Sequence, residues 1–164
     1  NTEVYEQSHI FNNNFAKTIL KYINTCSPKN LKKNHIESCK IISDKIHNGI
    51  VYTTRHMIIN IFQFKVNVPD ILIQYLPERT VMIEHVTELD MINKTMKIRS
   101  KNLTYPQACF NEVSFFVEYA GKTHYGIKAT LSVDIYIGIN EIIKKIWLNL
   151  YKSQLHEDFI KNLE

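Results

Sequence analysis

The stretch that decides the fold is residues 81–105, VMIEHVTELDMINKTMKIRSKNLTY. It contains two strand-like runs, Val81–Leu89 and Met96–Tyr105, joined by the short turn Asp90–Lys94. Apolar residues alternate with polar ones in both runs, which is typical of half-buried strands. The second run carries positive charges on its other face, at Lys97, Arg99 and Lys101. Because so short a turn joins antiparallel neighbours, the stretch predicts a β-meander rather than the βαβ core of many enzymes.

Five further strands are predicted on either side of this meander. Asn48-Gly49 is a two-residue hairpin signal between the second and third strands of the chain. All of the strands can be connected as antiparallel neighbours, so we expect about seven in one sheet. The five further predictions are Val4–Phe11, His35–Ser43, Ile50–Ile58, Cys109–Ala120 and Thr123–Val133.

Two helices and one loop complete the predicted elements. Phe15, Ile19 and Ile23 recur every fourth residue after a run of asparagines that can cap a helix. From Gly138 to Leu163 the apolar period is again helical, which predicts a long C-terminal helix. The segment Asn67–Pro77 contains two prolines around apolar residues and is predicted to be a surface segment or lid.

These elements predict an α+β fold, with residues 1–164 as a single domain. A curved seven-stranded antiparallel sheet would grip the long C-terminal helix, with a short N-terminal helix and a lid loop beside it. A chain of 164 residues is long enough to bury a sizeable core. Since such a sheet seldom closes around one helix without leaving space, we expect an internal pocket for an apolar ligand.

The composition argues against several classes of site. Cys26, Cys39 and Cys109 are too widely spaced for a disulfide framework or a paired zinc motif. We therefore expect reduced, mostly buried thiols and no metal. The four glycines are too scattered for a phosphate loop or a dinucleotide fingerprint, and the chain has no Gly-x-Ser-x-Gly motif. No apolar run is long enough to span a bilayer.

Two groups of charged residues lead to different expectations, one for a binding surface and one for a solvated face. Lys29, Lys32 and Lys33 form a basic patch that would attract a phosphate or an anionic membrane, although a solvated loop explains it equally well. Glu112 and Glu118 alternate with apolar residues, so we expect them on a solvated face opposite the apolar face at Val113, Phe115, Val117 and Tyr119.

Three cations lie among apolar residues: Lys21, His35 and Arg55. An arginine in a central strand can face solvent, pair with a carboxylate or bind an anionic ligand. The residues alone leave these three interpretations of Arg55 open.

At these positions the chain resembles the PRELI (PRELI/slowmo) domain family. Four stretches carry the resemblance, in the family's order. They are Ser8–Phe11, Lys21-Tyr22, Thr53–Arg55, and Asn93–Lys97 followed by Lys101–Thr104.

The resemblance implies a helix-grip fold of the lipid-carrier type and a function in phospholipid transfer. Members move phosphatidic acid, or in some cases phosphatidylserine, between membranes in the mitochondrial intermembrane space. They act at anionic membrane surfaces with a small cysteine-paired helical chaperone, without enzymatic activity or a cofactor. The positions that match lipid phosphate ligands of the family are Lys21, His35, Arg55 and, approximately, Lys152.

The chain also departs from the family pattern. Ile59 stands where the family often has a lysine four residues after the arginine, and the aromatic residue of the lid is absent. The remaining candidates for the lid are Pro69, Ile71, Leu72 and Tyr75.

Two other functions rank below phospholipid transfer. A hydrolase or cyclase on a related helix-grip fold would need a polar cluster at His35, His56 or His124 inside the pocket. A nucleic-acid binder would use Lys97, Arg99 and Lys101 with Tyr105, although alternating basic residues on a strand are usually solvated.

Overall fold

Seven strands form one antiparallel sheet in the computed structural model, which describes residues 2–32, 35–60, 70, 74–75 and 78–164. Their order across the sheet is β1-β7-β6-β5-β4-β3-β2, so only β1 departs from a simple meander. The prediction of a seven-stranded antiparallel sheet is confirmed. The strands are β1 (Thr2–Phe11), β2 (Ser38–His47), β3 (Ile50–Asn60), β4 (Thr80–Asp90), β5 (Thr95–Asn102), β6 (Ala108–Tyr119) and β7 (Lys122–Val133).

Tight turns fix the register of the central strands. Asn48 and Gly49 both have positive φ, 51° and 78°, as a two-residue hairpin turn between β2 and β3 requires. Between β4 and β5, the carboxylate of Asp90 accepts hydrogen bonds from the backbone N–H groups of Ile92 and Asn93, at 3.1 and 3.0 Å. These turns determine which residues lie opposite one another, and therefore which side chains share a face.

Two helical regions cover one face of the sheet. The first, α1 (Phe15–Asn24), begins at Asn14, whose side chain accepts from the backbone N–H of Lys17 at 2.9 Å. The second runs through α2 (Ile137–Leu150), a π-helical turn (Tyr151–His156) and α3 (Glu157–Leu163). The long C-terminal helix is confirmed, although its π-helical interruption was not predicted. No helix in the described part of the chain is long and apolar enough to cross a membrane.

The core lies between the helices and the sheet face that they cover, which we call the inward face. Phe11, Phe15 and Phe116 are fully buried there, and Tyr151 and Leu163 bring the C-terminal helix into the same cluster. The opposite, outward face is exposed to solvent.

The predicted faces of β6 are reversed in the structure. Phe116 is fully buried on the inward face, whereas Phe115 is 51% exposed and Tyr119 is 72% exposed on the outward face. Both faces of this strand carry apolar residues, so the alternation does not distinguish them. The pairing of Phe116 with Tyr125 of β7, under the helices, decides which face is inward.

Two further predictions are wrong in detail. His35 does not open a strand: it lies in a turn with a positive φ of 61°, where the backbone N–H of Ile36 bonds to the Leu31 carbonyl at 2.9 Å. The thiols are not mostly buried, since Cys26 and Cys39 are half-buried and Cys109 is exposed.

The predicted lid falls mainly on residues outside those that the structure describes. Pro69, Ile71 and Leu72 belong to this group. Tyr75 is described, and its ring lies 5.5 Å from the ring of Tyr136, next to the start of α2.

Candidate functional site

A pocket of about 360 Å³ lies between the inward face of the sheet and the C-terminal helix. This volume is within the range of small-molecule binding sites. Most of the described side chains around it are aliphatic or aromatic, including Met57, Ile59, Val81, Ile83, Tyr105, Phe110, Ile127, Leu131, Ile143, Ile146, Trp147, Leu150, Tyr151 and Phe159. The sequence prediction of an internal apolar pocket is confirmed by these residues.

Four polar residues lie side by side across the inward face, one on each of four neighbouring strands. Arg55 of β3 is opposite His85 of β4, His85 is opposite Ser100 of β5, and Ser100 is opposite Glu112 of β6. We call these four residues the polar row. His85, Ser100 and Glu112 line the pocket. An otherwise apolar pocket therefore has a polar band across its sheet wall.

His85 is held neutral in the centre of the polar row. Its Nε2 is hydrogen-bonded to the Tyr22 hydroxyl, and its Nδ1 lies 2.7 Å from the Ser100 hydroxyl. Burial, reinforced by the charge of Arg55, lowers the pKa of His85 to about 3. The imidazole therefore offers hydrogen bonds but no charge near neutral pH.

Glu112 corrects the expectation of a solvated carboxylate. It faces the pocket, and the Tyr151 hydroxyl donates a hydrogen bond to its Oε2. Burial raises the pKa of Glu112, and the hydrogen bond from Tyr151 offsets only part of this effect. Glu118 has other partners than Glu112. Its carboxylate accepts a hydrogen bond from the Phe15 backbone N–H at 3.0 Å and forms an ion pair with Lys94 at 2.6 Å.

A second buried histidine, His156, lies in the π-helical turn. Its Nδ1 is 2.9 Å from the Tyr5 hydroxyl, and its ring stacks on those of Tyr125 and Tyr151. Burial lowers the pKa of His156 to about 4. Sequence reasoning missed His85, Ser100, Glu112 and His156 as pocket residues. For His85 and Ser100 a sequence signal existed, because the alternation within residues 81–105 places both of them on the apolar face of their strands.

The four cations predicted to bind phosphate do not converge. Arg55 lies in the polar row, and His35 lines the pocket with its Nε2 2.7 Å from the Asp158 carboxylate. Lys21 instead donates to the backbone oxygen of Glu164 at 2.8 Å. Lys152 lies near the edge strand β1, with its Nζ 5.9 Å from the centre of the Tyr5 ring. Of these four, only His35 lines the pocket, whereas Arg55 lies on the inward face next to the lining residue His85.

Arg55 has no hydrogen-bond or ion-pair partner among the described residues. No carboxylate there pairs with it, and no hydrogen bond to the described part of the chain engages its guanidinium group. The side chain is half-buried on the inward face. Of the three interpretations left open by the sequence, an ion pair within the described residues is therefore excluded.

Two thiols lie within the electrostatic influence of Arg55. Cys26 follows α1, and Cys39 lies on β2 opposite Met57. A hydrogen bond with Cys39 lowers the pKa of Cys26 to about 7, with a further contribution from Arg55 and against the effect of burial. The same hydrogen bond and burial raise the pKa of Cys39. Cys26 is therefore the more acidic of the two thiols.

The outward face does not provide the alternative sites. Arg99 pairs with Glu88 at 2.8 Å and Lys101 with Glu84 at 3.5 Å, so two of the three basic residues are paired across strands, and the Lys97 Nζ lies 5.5 Å from the centre of the Phe115 ring. Tyr105 is buried, and its hydroxyl donates to the Glu78 carbonyl at 2.7 Å, so it cannot stack on a base.

The histidines proposed for an enzyme are also dispersed. His56 pairs with Glu84 at 3.6 Å on the outward face, and His124 contacts the ring of Tyr119 there. His35 is the one of the three that lines the pocket among the residues that the structure describes. The enzyme interpretation therefore loses His56 and His124, whereas His35 lies beside Asp158 in the pocket.

Solved structures show the same architecture at low sequence identity. The Zhui aromatase/cyclase from a Streptomyces species aligns with a TM-score of 0.58 and 8% identity, over 99% of this chain and 94% of that one. The protein TTHA0849 from Thermus thermophilus aligns with a TM-score of 0.58 and 12% identity, over 98% and 94%. Norcoclaurine synthase from Thalictrum flavum gives 0.53 and 9%, over 99% and 94%. These similarities show a helix-grip fold.

The sequence itself identifies the family. A comparison with curated protein sequences gave no significant match. Residues 13–158 match the model of the PRELI-like family, which is nearly the whole chain. The match agrees with the helix-grip fold and with the apolar pocket, and together they support a lipid-binding or related domain. The chain belongs to the PRELI-like family.

Proposed function

We propose that this protein binds a phospholipid, phosphatidic acid foremost, in the pocket and transfers it between mitochondrial membranes. The observation that carries the proposal is the Arg55 guanidinium group, a half-buried cation without a carboxylate partner among the described residues. A cation that is removed from water and left unpaired is unfavourable. A lipid phosphate would compensate it through charge-assisted hydrogen bonds, while the acyl chains contact the apolar walls.

His35 is the second proposed phosphate ligand. Its imidazole already pairs with Asp158, so a phosphate would have to share His35 with that carboxylate or displace it. His35 lies in the connection between α1 and β2, and this connection also carries the exposed side chains of Lys29 and Lys32. Lys33 lies outside the described residues. We propose that the exposed lysines attract an anionic membrane surface close to the pocket.

We propose a carrier rather than an enzyme, with no cofactor. His85 at the centre of the polar row is neutral and has hydrogen-bond partners on both ring nitrogens. These bonds suit a structural role on the pocket wall. The proposed location is the mitochondrial intermembrane space, and the proposed partner is a small cysteine-paired helical chaperone. Both follow from the family rather than from a contact in this structure.

The test is transfer of labelled phosphatidic acid from donor to acceptor liposomes, with and without such a chaperone. We expect the wild-type protein to transfer the lipid. Arg55→Glu should reduce transfer at least tenfold, because a carboxylate would repel the phosphate. Arg99→Glu on the outward face is the matched control and should stay within about twofold of wild type.

Two results would contradict the proposal. Absence of transfer by the wild-type protein, with and without the chaperone, would contradict the proposed lipid transfer. Equal transfer by Arg55→Glu and Arg99→Glu would contradict the proposed role of Arg55 in binding the phosphate. Circular dichroism of each variant separates these results from a loss of folding.

A further inference from the structure

Three aromatic rings meet on one wall of the pocket. The ring centres of Phe110 and Trp147 are 5.7 Å apart, those of Trp147 and Tyr151 are 5.3 Å apart, and those of Phe110 and Tyr151 are 5.9 Å apart. All three side chains line the pocket. The three pairs are inclined by 63°, 33° and 51°, respectively. A cation–π contact requires a cation over the face of a ring and within ~6 Å of its centre, a distance that a cation over this triangle could reach for each ring.

A carboxyl group stands beside the three rings. Glu112 is two residues from Phe110 on the same face of β6, and its Oε2 accepts a hydrogen bond from Tyr151. Among the described residues, no lysine, arginine or histidine forms an ion pair with Glu112. The aromatic rings and the carboxyl group are therefore adjacent, face the same space and lack a cation.

The chemistry of this wall selects among possible ligand groups. A phosphate or carboxylate would be repelled by Glu112 when this group is ionised, and a hydrocarbon chain would leave the carboxyl group in its neutral form. Burial raises the pKa of Glu112, which shows that its charged form is disfavoured in the absence of a ligand. An ammonium group would compensate that charge and would also contact the ring faces.

We propose that Phe110, Trp147, Tyr151 and Glu112 form a binding site for the ammonium group of an amphiphilic ligand. The inference rests on the proposed function, because it assumes that the same pocket holds the apolar part of the ligand. Phosphatidic acid has no ammonium group, so the ligand of this site is a different amphiphile that carries one. It goes further in assigning a positively charged ligand group to the β6 end of the polar row. The Arg55 end lies three strand spacings away, roughly 14 Å, so the two charges occupy separate positions.

Three probes that share a twelve-carbon chain test the site: dodecyltrimethylammonium, 1-dodecanol and dodecyl phosphate. Each is titrated into the full chain below the concentration at which it aggregates. Trp147 is the single tryptophan of the sequence, so its fluorescence reports binding at the proposed site. We expect dodecyltrimethylammonium to bind about tenfold more tightly than 1-dodecanol.

Variants assign the preference to the carboxyl group and the rings. Glu112→Gln keeps the shape and an acceptor for Tyr151, and it should lose most of the preference for dodecyltrimethylammonium over 1-dodecanol, keeping only the part that the rings supply. Phe110→Leu should reduce the preference about threefold, and it serves as a second variant if Glu112→Gln is unfolded. Glu88→Gln on the outward face is the matched control and should keep the full preference.

The outcomes separate this inference from the proposed function. Equal binding of all three probes, or a preference of the wild-type protein for dodecyl phosphate alone, would overturn the ammonium site but leave a lipid pocket. A preference for the ammonium probe that is undiminished in both Glu112→Gln and Phe110→Leu would also overturn it. Absence of binding by every probe would count against both.

Discussion

The buried imidazole of His85 makes the stability of the domain depend on pH. Its pKa falls from 6.5 to about 3 on folding, because the buried imidazole must stay neutral between Tyr22 and Ser100. A group whose pKa is lower in the folded state binds fewer protons there than in the unfolded chain. Stability from this source is therefore fully present above about pH 6.5 and is lost as the pH falls from 6.5 towards 3.

A comparison of His85→Gln with the wild type tests this coupling. Between pH 7.5 and 5.0, the neutral His85 should cost the wild-type protein about 2 kcal/mol of unfolding free energy. Glutamine can keep hydrogen bonds to both neighbours but does not titrate, so the variant should lose about 2 kcal/mol less. Urea denaturation at both pH values measures the difference.

The control for this prediction is His124→Gln on the outward face, which should lose as much stability as the wild type. An identical pH dependence in His85→Gln and the wild type would show that the buried imidazole does not titrate as described. His156, whose pKa is also lowered, to about 4, remains in all three proteins and does not affect the comparison.

Among the elements, the hairpins were the most predictable from sequence. Asn48-Gly49 marked the turn between β2 and β3, and the short turn from Asp90 determined that His85 lies opposite Ser100. The pairing of His85 with Ser100, two of the four residues of the polar row, could therefore be predicted from residues 81–105. The pairing of Arg55 with His85 was not, because β3 and β4 are separated by a long connection whose length sets no register.

Other elements could not be assigned from local pattern. The inward face of β6 carries Glu112 and Ser114 as well as apolar residues and looks more polar in sequence than the outward face, so only the packing of Phe116 reveals that Glu112 faces the pocket. The π-helical turn has no proline or glycine to mark it, and the apolar stripe continues through it. For this reason His156 and the exact placement of Tyr151 depended on the folded structure.

A substitution at Gly49 tests the hairpin turn between β2 and β3, which sets the register of these strands at the edge of the sheet. The Gly49 φ of +78° is unfavourable for a residue with a Cβ atom, although among the described residues a Cβ there would meet only Ile92, at 3.9 Å. Gly49→Ala should therefore reduce the unfolding free energy by about 1 kcal/mol through backbone strain alone. Chemical denaturation measures this change.

Gly138→Ala is the matched control, because Gly138 lies in α2 and a Cβ there meets no atom of the described residues within 4 Å. This change should increase stability by about 0.5 kcal/mol, since alanine favours a helix. An equal effect of the two substitutions would contradict the assigned turn.

At the scale of the whole molecule, the two sheet faces have different chemistry. The outward face pairs its charges across strands, as in Arg99–Glu88 and Lys101–Glu84, and so remains a solvated surface. The inward face concentrates apolar side chains and leaves Arg55 and Glu112 without ionic partners among the described residues. Fold class and family were predictable from sequence, whereas the division of charge between these faces required the structure.

The central claim is that the inward pocket holds a phospholipid whose phosphate is bound by Arg55. Mass spectrometry of lipids extracted from the purified protein tests it most directly. We predict about one intact phospholipid per wild-type chain, enriched over the lipids of the host membranes, and a loss of at least tenfold in Arg55→Glu but not in Arg99→Glu. Wild-type protein without bound phospholipid, or an equal amount in Arg55→Glu, would contradict the claim.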